Sequence, residues 1–362
     1  MLMALNHIDS PLRAATEQAL GFVGSAEAFV FMSGLVAGWV YARRLLERGF
    51  TNALSATARR AGVVYRTHLL TYLGAFIWTL IYTLYTREVS PSLPPWFVTE
   101  PFNALWLGAL LLYQPGLLDI LPMYCAFLLA LPWVLRATLR GNGTVIFAFS
   151  FALWAFTQAA DGGIHAWGGR IGLGAFHPLA WQFPFIAGAI LGAQKASGVA
   201  LMRPRALPLA VAFAGAVGLW LVRHDFVAAP LPADQLAQLT NQTTLGVLRL
   251  ANFALVAYLV ANAAAVFPRA FRWRPFAIVG EAALPAFAAQ ALVAIALITY
   301  PELFAATPIG RWIATLVMLG TVFGVAYVKR WQRNRRIELA LAKLLRAPAP
   351  KPPPRDIAHA AQ

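Results

Sequence analysis

The sequence predicts an all-α protein, a polytopic bundle of transmembrane helices with nine full spans plus a truncated first helix. Three observations carry that prediction. The chain is 60% hydrophobic and only 12% charged, about half the charged fraction of a soluble domain. Nine stretches are apolar over the roughly 17–25 residues that a membrane crossing needs. Finally, 23 of the 29 Lys and Arg residues fall in alternate connections between those stretches, the asymmetry that orients membrane helices.

Along the chain, the predicted spans are 21–41, 68–85, 118–135, 144–160, 177–194, 206–222, 245–267, 276–300 and 309–328. The stretch ALWLGALLLY (104–113) is shorter, ends at Gln114-Pro115, and reads as a re-entrant or interfacial piece. Between the first two full spans lie Arg43, Arg44, Arg48, Arg59, Arg60 and Arg66. Arg136 and Arg140 follow the third span, Lys195, Arg203 and Arg205 the fifth, and Arg269, Arg272 and Arg274 the seventh. Nine more basic residues lie between Lys329 and Arg355. These connections are expected to be cytoplasmic, in a bacterial inner membrane, with the C-terminus cytoplasmic. The opposite connections carry Asp9, Glu17, Glu88, Glu100, Asp161, Asp225, Asp234 and Glu302. The net charge of +15 is therefore explained by topology and not by nucleic acid.

With span 21–41 running from outside to inside, residue 20 lies outside. The opening MLMALNHI then reads as the last two turns of a first helix ending outward near His7, whose beginning is absent. Residues 1–330 form the integral-membrane domain. Residues 331–362 read as a basic, then Pro- and Ala-rich cytoplasmic tail, largely disordered at its end. A single cysteine, Cys125, excludes an intrachain disulfide framework and a cysteine-rich metal site, and no metal is expected. No cleavable signal peptide and no internal repeat of fixed period is visible.

Ionisable groups inside spans cost roughly 2.5–3.5 kcal/mol each on insertion scales, so each is a site candidate. His7, Glu27, Asp119, His177, Gln182, Arg249 and Asn252 come from five elements and share one depth, in the outer half of the bilayer. Each has a simpler reading. Asp119 and His177 could cap helices, Arg249 could snorkel outward, and Asn252 and Gln182 could be interhelical glue. Glu27 is embedded too deep for a cap and pairs with either His7 or Arg249. A histidine beside an embedded carboxylate is a candidate general base. On the inner side, Arg59, Arg60, Arg66 and His68 gather at the entry to the second full span. They read either as positive-inside bias or as a phosphate-binding mouth for a nucleotide-like donor.

NHIDSPL…GFVGSAEAFVFMSGLVAGWVYARRL (6–45) resembles the first two helices of the OpgC family, membrane proteins that succinylate osmoregulated periplasmic glucans. The family is distantly related to the membrane acyltransferase type 3 superfamily and its ten-helix architecture. LDILPMYCAFLLALP (118–132), FHPLAWQFPFIAGAILG (176–192) and LGVLRLANFALVAYLV (245–260) extend the resemblance, in order, to about residue 330. It implies His7 as the catalytic base, Asn6 as its neighbour, Glu27 as the embedded acid, and Arg249 and Asn252 lining the same cavity. It also implies acyl-CoA, in the family's case succinyl-CoA, as co-substrate and a glucan or other polysaccharide as acceptor.

Three departures stand out. The Arg-Gly pair that family members carry about ten residues before this His is missing. GFVGSAE (21–27) lacks the family's Asp. In the last helices Gln290 stands where a His falls, and Glu281 replaces a basic residue. The leading expectation is an O-acyltransferase. A transporter or flippase using the same polar belt is the alternative, although the inverted repeats of transporters are not visible. A catalytically impaired family member acting through a partner is the third reading.

Overall fold

The computed structural model describes residues 1–91, 93, 96–159, 165–166, 171–172, 174–200 and 204–346. Asp161, Arg203 and the Pro/Ala-rich segment 347–362 lie outside the described residues. In chain order the helices are α1 (Leu2–Asn6), α2 (Arg13–Thr16), α3 (Ser25–Thr86), α4 (Trp96–Thr99), α5 (Pro101–Ala109) and α6 (Ile120–Ala137). A π-helical turn, Thr138–Asn142, leads into α7 (Gly143–Gln158). Then come α8 (Pro178–Ala196), α9 (Ala206–Arg223), α10 (Ala233–Leu239), α11 (Val247–Val266), α12 (Arg274–Glu281), α13 (Ala283–Ile298), α14 (Pro301–Phe304) and α15 (Pro308–Arg346). The two-residue strands His165–Ala166 and Ile171–Gly172 pair antiparallel.

By length and apolarity, five helical stretches can cross a membrane: Ser25–Thr86, Ile120–Gln158, Ala206–Arg223, Val247–Val266 and Pro308–Ala342. A sixth is α12 with α13, if the pair, bent by 86°, is taken as one span. The expected nine spans and truncated first helix are a finer division than this. Two of the five stretches are interrupted, however. Gly49 (φ 78, ψ 174) breaks α3 between two predicted spans, in a backbone region open essentially to glycine alone. Gly141 (φ 92, ψ −5) breaks the chain between α6 and α7 with a left-handed turn. The predicted span 276–300 is broken at Ala282, between α12 and α13. That break puts Pro285 in the first turn of α13, where its missing N–H costs no intrahelical hydrogen bond.

The centre of the molecule is the first limb of α3 packed on α8. Gly34 and Gly38 face Gly188 and Gly192, a small-xxx-small spacing on both helices. A Cβ at any of these four glycines would collide with the partner helix backbone, at Phe185, Ala189, Phe31 and Leu35 respectively. Without a hydrophobic drive between helices in lipid, such close backbone approach supplies the packing energy. Helix α6 closes on the same core through Leu128, Leu131 and Leu135. Around this core, large apolar side chains such as Leu70, Phe149, Leu207 and Leu316 stay exposed, as lipid-facing positions do.

Two of the basic connections reach the end of the first limb of α3 near Gly49. Arg136 stacks over Phe50, next to the Gly49 break, at 4.9 Å. Lys195 stacks over Trp39 at 4.6 Å. At the opposite end, Trp220 Nε1 donates to the Ala19 carbonyl (3.2 Å), and Arg223 donates to Gln18.

Candidate functional site

Glu27 sits at the third position of α3, where its Oε2 accepts the N–H of Gly24 at 3.0 Å. This is half of a capping box, and it sets the carboxylate in the positive field of a helix N-terminus. Its Oε1 takes the Nε of Arg249, which stands in the first turn of α11. The pair is buried, with side-chain exposures of 4% for Arg249 and 0% for Glu27. Arg249 Nη1 also reaches the Thr240 carbonyl at 3.4 Å. The choice the sequence left open for Glu27 therefore falls on Arg249. Where resembling sequences carry an Asp, this chain has Gly24, and a Cβ there would come within 3.2 Å of Arg249 Nη2.

Asn252, one turn further along α11, holds the segment before α3. Its Oδ1 accepts the N–H of Phe22 at 2.6 Å, and its Nδ2 donates to the Leu20 carbonyl at 3.3 Å. Gly21, with φ 98, leaves no room for a side chain against that amide. Both ends of the Asn252 amide are thus engaged by the backbone of the segment before α3, which lies in no helix.

Three side chains the sequence reading passed over fix the segment that leads into Arg249. Trp154 Nε1 donates to the Leu245 carbonyl (2.9 Å), Gln158 Nε2 to Thr244 (2.8 Å), and Trp181 Nε1 to Gln242 (3.0 Å). Helices α7 and α8 thereby set where α11 begins and where its arginine stands.

His7 is the C-terminal cap of α1. That helix packs against α3, α13 and α15, and its Met3 belongs to the same core as Ala26. The Nδ1 of His7 is buried and has no hydrogen-bond partner among the described residues. Its neighbour Asn6 is anchored by Thr16 Oγ1, which donates to Asn6 Oδ1 at 2.8 Å. The Glu27 carboxylate is taken up by Arg249 and Gly24 and makes no hydrogen bond to His7 among the described residues.

Asp119 and His177 meet through one loop. Asp119 Oδ2 accepts the Ala175 N–H at 2.8 Å, and His177 follows two residues later as the N-terminal cap of α8. The His177 N–H donates to Thr243 (2.9 Å), while its Nδ1 is buried without a partner. Gln182 lies apart from this group and bridges α7 and α8. It accepts from Ser150 Oγ (2.6 Å) and donates to the Ser150 carbonyl (2.7 Å). Its role is interhelical.

The four residues of the expected phosphate mouth separate. Arg59 and Arg60 are exposed on the second limb of α3, where Arg60 faces the Tyr124 phenol and Arg44, Arg59 and Arg60 lie near Tyr41. Arg66 is exposed and folds back on the Gly62 carbonyl (3.3 Å). His68 is fully buried. The apolar run starts near residue 68, but the helix does not: the second limb of α3 runs from Phe50 to Thr86, and His68 is its midpoint. At 1.5 Å per residue it lies roughly 27 Å from either end of that limb and roughly 12 Å along the axis from Arg60. Glu281 pairs with Arg333 at 2.7 Å on the exposed surface between α12 and α15. Among the described residues, no group of three His, Cys, Asp or Glu could hold a metal ion.

The family model that matches the chain is described as OpgC protein and covers residues 1–334. No curated protein and no solved structure matches.

Proposed function

The chain belongs to the OpgC family, and from that premise we propose that it is an integral-membrane O-acyltransferase. In this reading it lies in the bacterial inner membrane with its basic end and C-terminus cytoplasmic. It moves a succinyl group from cytoplasmic succinyl-CoA to a hydroxyl of a periplasmic glucan or related polysaccharide. The donor's phosphates meet Arg44, Arg59 and Arg60, whose guanidinium groups suit phosphate oxygens. Its acyl arm enters the helix bundle towards α1.

His7 takes the proton of the acceptor hydroxyl, and the oxygen attacks the thioester carbonyl. The tetrahedral oxyanion that forms is met by the Nδ2 of Asn6, whose Oδ1 is already held by Thr16; such donors stabilise developing charge. Collapse breaks the C–S bond. The CoA thiolate recovers a proton from the His7 imidazolium, leaving the sugar ester and free CoA. Glu27 and Arg249 serve this step by fixing the segment 20–24 and the start of α11, not by touching the imidazole.

The observation that carries the reading is the buried, unpartnered Nδ1 of His7. An unsatisfied buried nitrogen costs about 1–3 kcal/mol, and a catalytic role is one of the reasons a native structure keeps such a group. The test is transfer of radiolabelled succinyl from succinyl-CoA to glucan in proteoliposomes. His7→Ala and His7→Gln should abolish transfer while the protein stays monodisperse. Persisting transfer in either variant removes His7 as the base.

A further inference from the structure

Helix α11 ends at Val266 and α13 begins at Ala283, and residues 265–277 between them are all exposed. Four of these are aromatic: Phe267, Phe271, Trp273 and Phe276. The rings of Trp273 and Phe276 stack on each other, with centroids 5.7 Å apart and planes 14° apart, and form one apolar plate. Interleaved with the aromatics are Arg269, Arg272 and Arg274, also exposed. None of the three is in an ion pair among the described residues. Exposed apolar surface of this kind marks a contact with a partner or a membrane.

The geometry gives the patch its direction. Helix α12 is bent by 86° from α13, and α13 packs along α3 and α15. Helix α12 therefore lies across the bundle, not along it. It is anchored there by Ile278, which packs with Ala326 of α15, and by the Glu281–Arg333 pair at 2.7 Å. Before it, the N–H groups of Ala270 and Arg272 close successive turns onto Phe267 (3.1 Å) and Arg269 (3.2 Å), which keeps the arginine-bearing stretch compact. The patch is remote from the Glu27–Arg249 pair. Val266 follows Arg249 on α11 by roughly 25 Å of helix, close to the thickness of a bilayer's hydrocarbon core.

We propose that residues 266–277 lie in the membrane interface at this end of the bundle and bind anionic phospholipid. The aromatic rings enter the upper acyl region, and the guanidinium groups meet the headgroup phosphates. Segments that combine aromatic and basic residues rest in the interface plane, aromatic rings favour the headgroup level, and basic residues beside a membrane helix favour anionic lipid. A soluble phosphate compound would engage the arginines and leave four aromatic side chains in water. A neutral lipid would take the rings and leave three cations without counter-charge. An anionic phospholipid answers both halves of the patch, independently of whether the protein transfers an acyl group.

The test uses the full chain carrying Ala270→Cys, labelled with a fluorophore; Cys125 is buried and stays unlabelled. The protein is reconstituted in phosphatidylcholine vesicles with a small, fixed fraction of nitroxide-bearing lipid, either phosphatidylglycerol or phosphatidylcholine, the nitroxide high on the acyl chain. Phosphatidylglycerol should quench the label severalfold more than phosphatidylcholine, and added salt should narrow the difference. Changing Arg269, Arg272 and Arg274 together to Gln should remove the preference, at about fivefold in lipid affinity per arginine. Free CoA should leave it intact. Equal quenching by the two lipids, or none by either, overturns the proposal without a variant that has to fold. A preference that survives the triple substitution places the lipid elsewhere, and one that CoA abolishes assigns the arginines to a soluble phosphate; each also overturns it.

Discussion

Breaking the Glu27–Arg249 pair is the most informative perturbation of the fold at the site. Both side chains are buried, and each has further work. Glu27 caps α3 through Gly24, and Arg249 reaches the Thr240 carbonyl. Arg249→Met removes the cation but leaves a carboxylate enclosed with one backbone N–H for company. Losing one partner of a buried pair costs about 3–5 kcal/mol, which for a chain of this size is a fall in Tm of roughly 4–7 °C. Glu27→Met should cost a similar amount and add the loss of the cap. The double variant Glu27→Met with Arg249→Met should be more stable than the sum of the singles by about 0.5–3 kcal/mol, because no orphan charge remains. The assay is thermal unfolding of detergent-solubilised protein followed by size-exclusion chromatography with fluorescence detection. Single variants within about 1 kcal/mol of wild type, or strictly additive losses, would refute the reasoning.

Further outcomes follow from the structure. Gly38→Ala should lower stability by about 1–3 kcal/mol through overpacking against Ala189. Gly62→Ala, in α3 with nothing within 4 Å, should raise it by about 0.5–1 kcal/mol; the same thermal assay reads both, and equal signs would contradict the packing described. Gly49→Ala should cost about 1–3 kcal/mol although nothing lies within 4 Å of it, because its φ of 78 is the obstacle and not a neighbour. Cys125, the single cysteine, is 5% exposed and should resist a membrane-impermeant maleimide in the folded protein. Single cysteines at Ser55 and Asp234, both exposed, should then label from opposite sides of sealed vesicles, and labelling from one side would contradict the orientation.

Much of the site was legible because burying charge in a membrane is expensive. Glu27, Arg249 and Asn252 stand out as polar groups at matched depth in otherwise apolar stretches, and the structure joins them. What the sequence left open was pairing: a carboxylate near both a histidine and an arginine has no pattern that says which it takes. His68 shows a second limit: hydropathy marks where the apolar part of a helix begins, and the second limb of α3 starts well before it, so the sequence did not show that residue 68 stands at mid-helix and is fully buried. The small-xxx-small pairs Gly34/Gly38 and Gly188/Gly192 were readable as a motif, yet nothing in one sequence says that the two stretches face each other. The clamps from Trp154, Gln158 and Trp181 to residues 242–245 bridge 61–91 positions, and indole and amide donors to backbone leave no periodicity to find. The break at Ala282 divides an apolar run that composition alone joins.

The central claim is that this membrane protein carries an acyl group from CoA to a sugar hydroxyl, with His7 as the base. It is tested most directly in sealed proteoliposomes, by presenting labelled succinyl-CoA to the basic end and glucan to the opposite end. The account predicts base-labile label on the glucan with wild-type protein and none with His7→Ala. Label that appears equally with His7→Ala, or none with the wild-type protein, would contradict it.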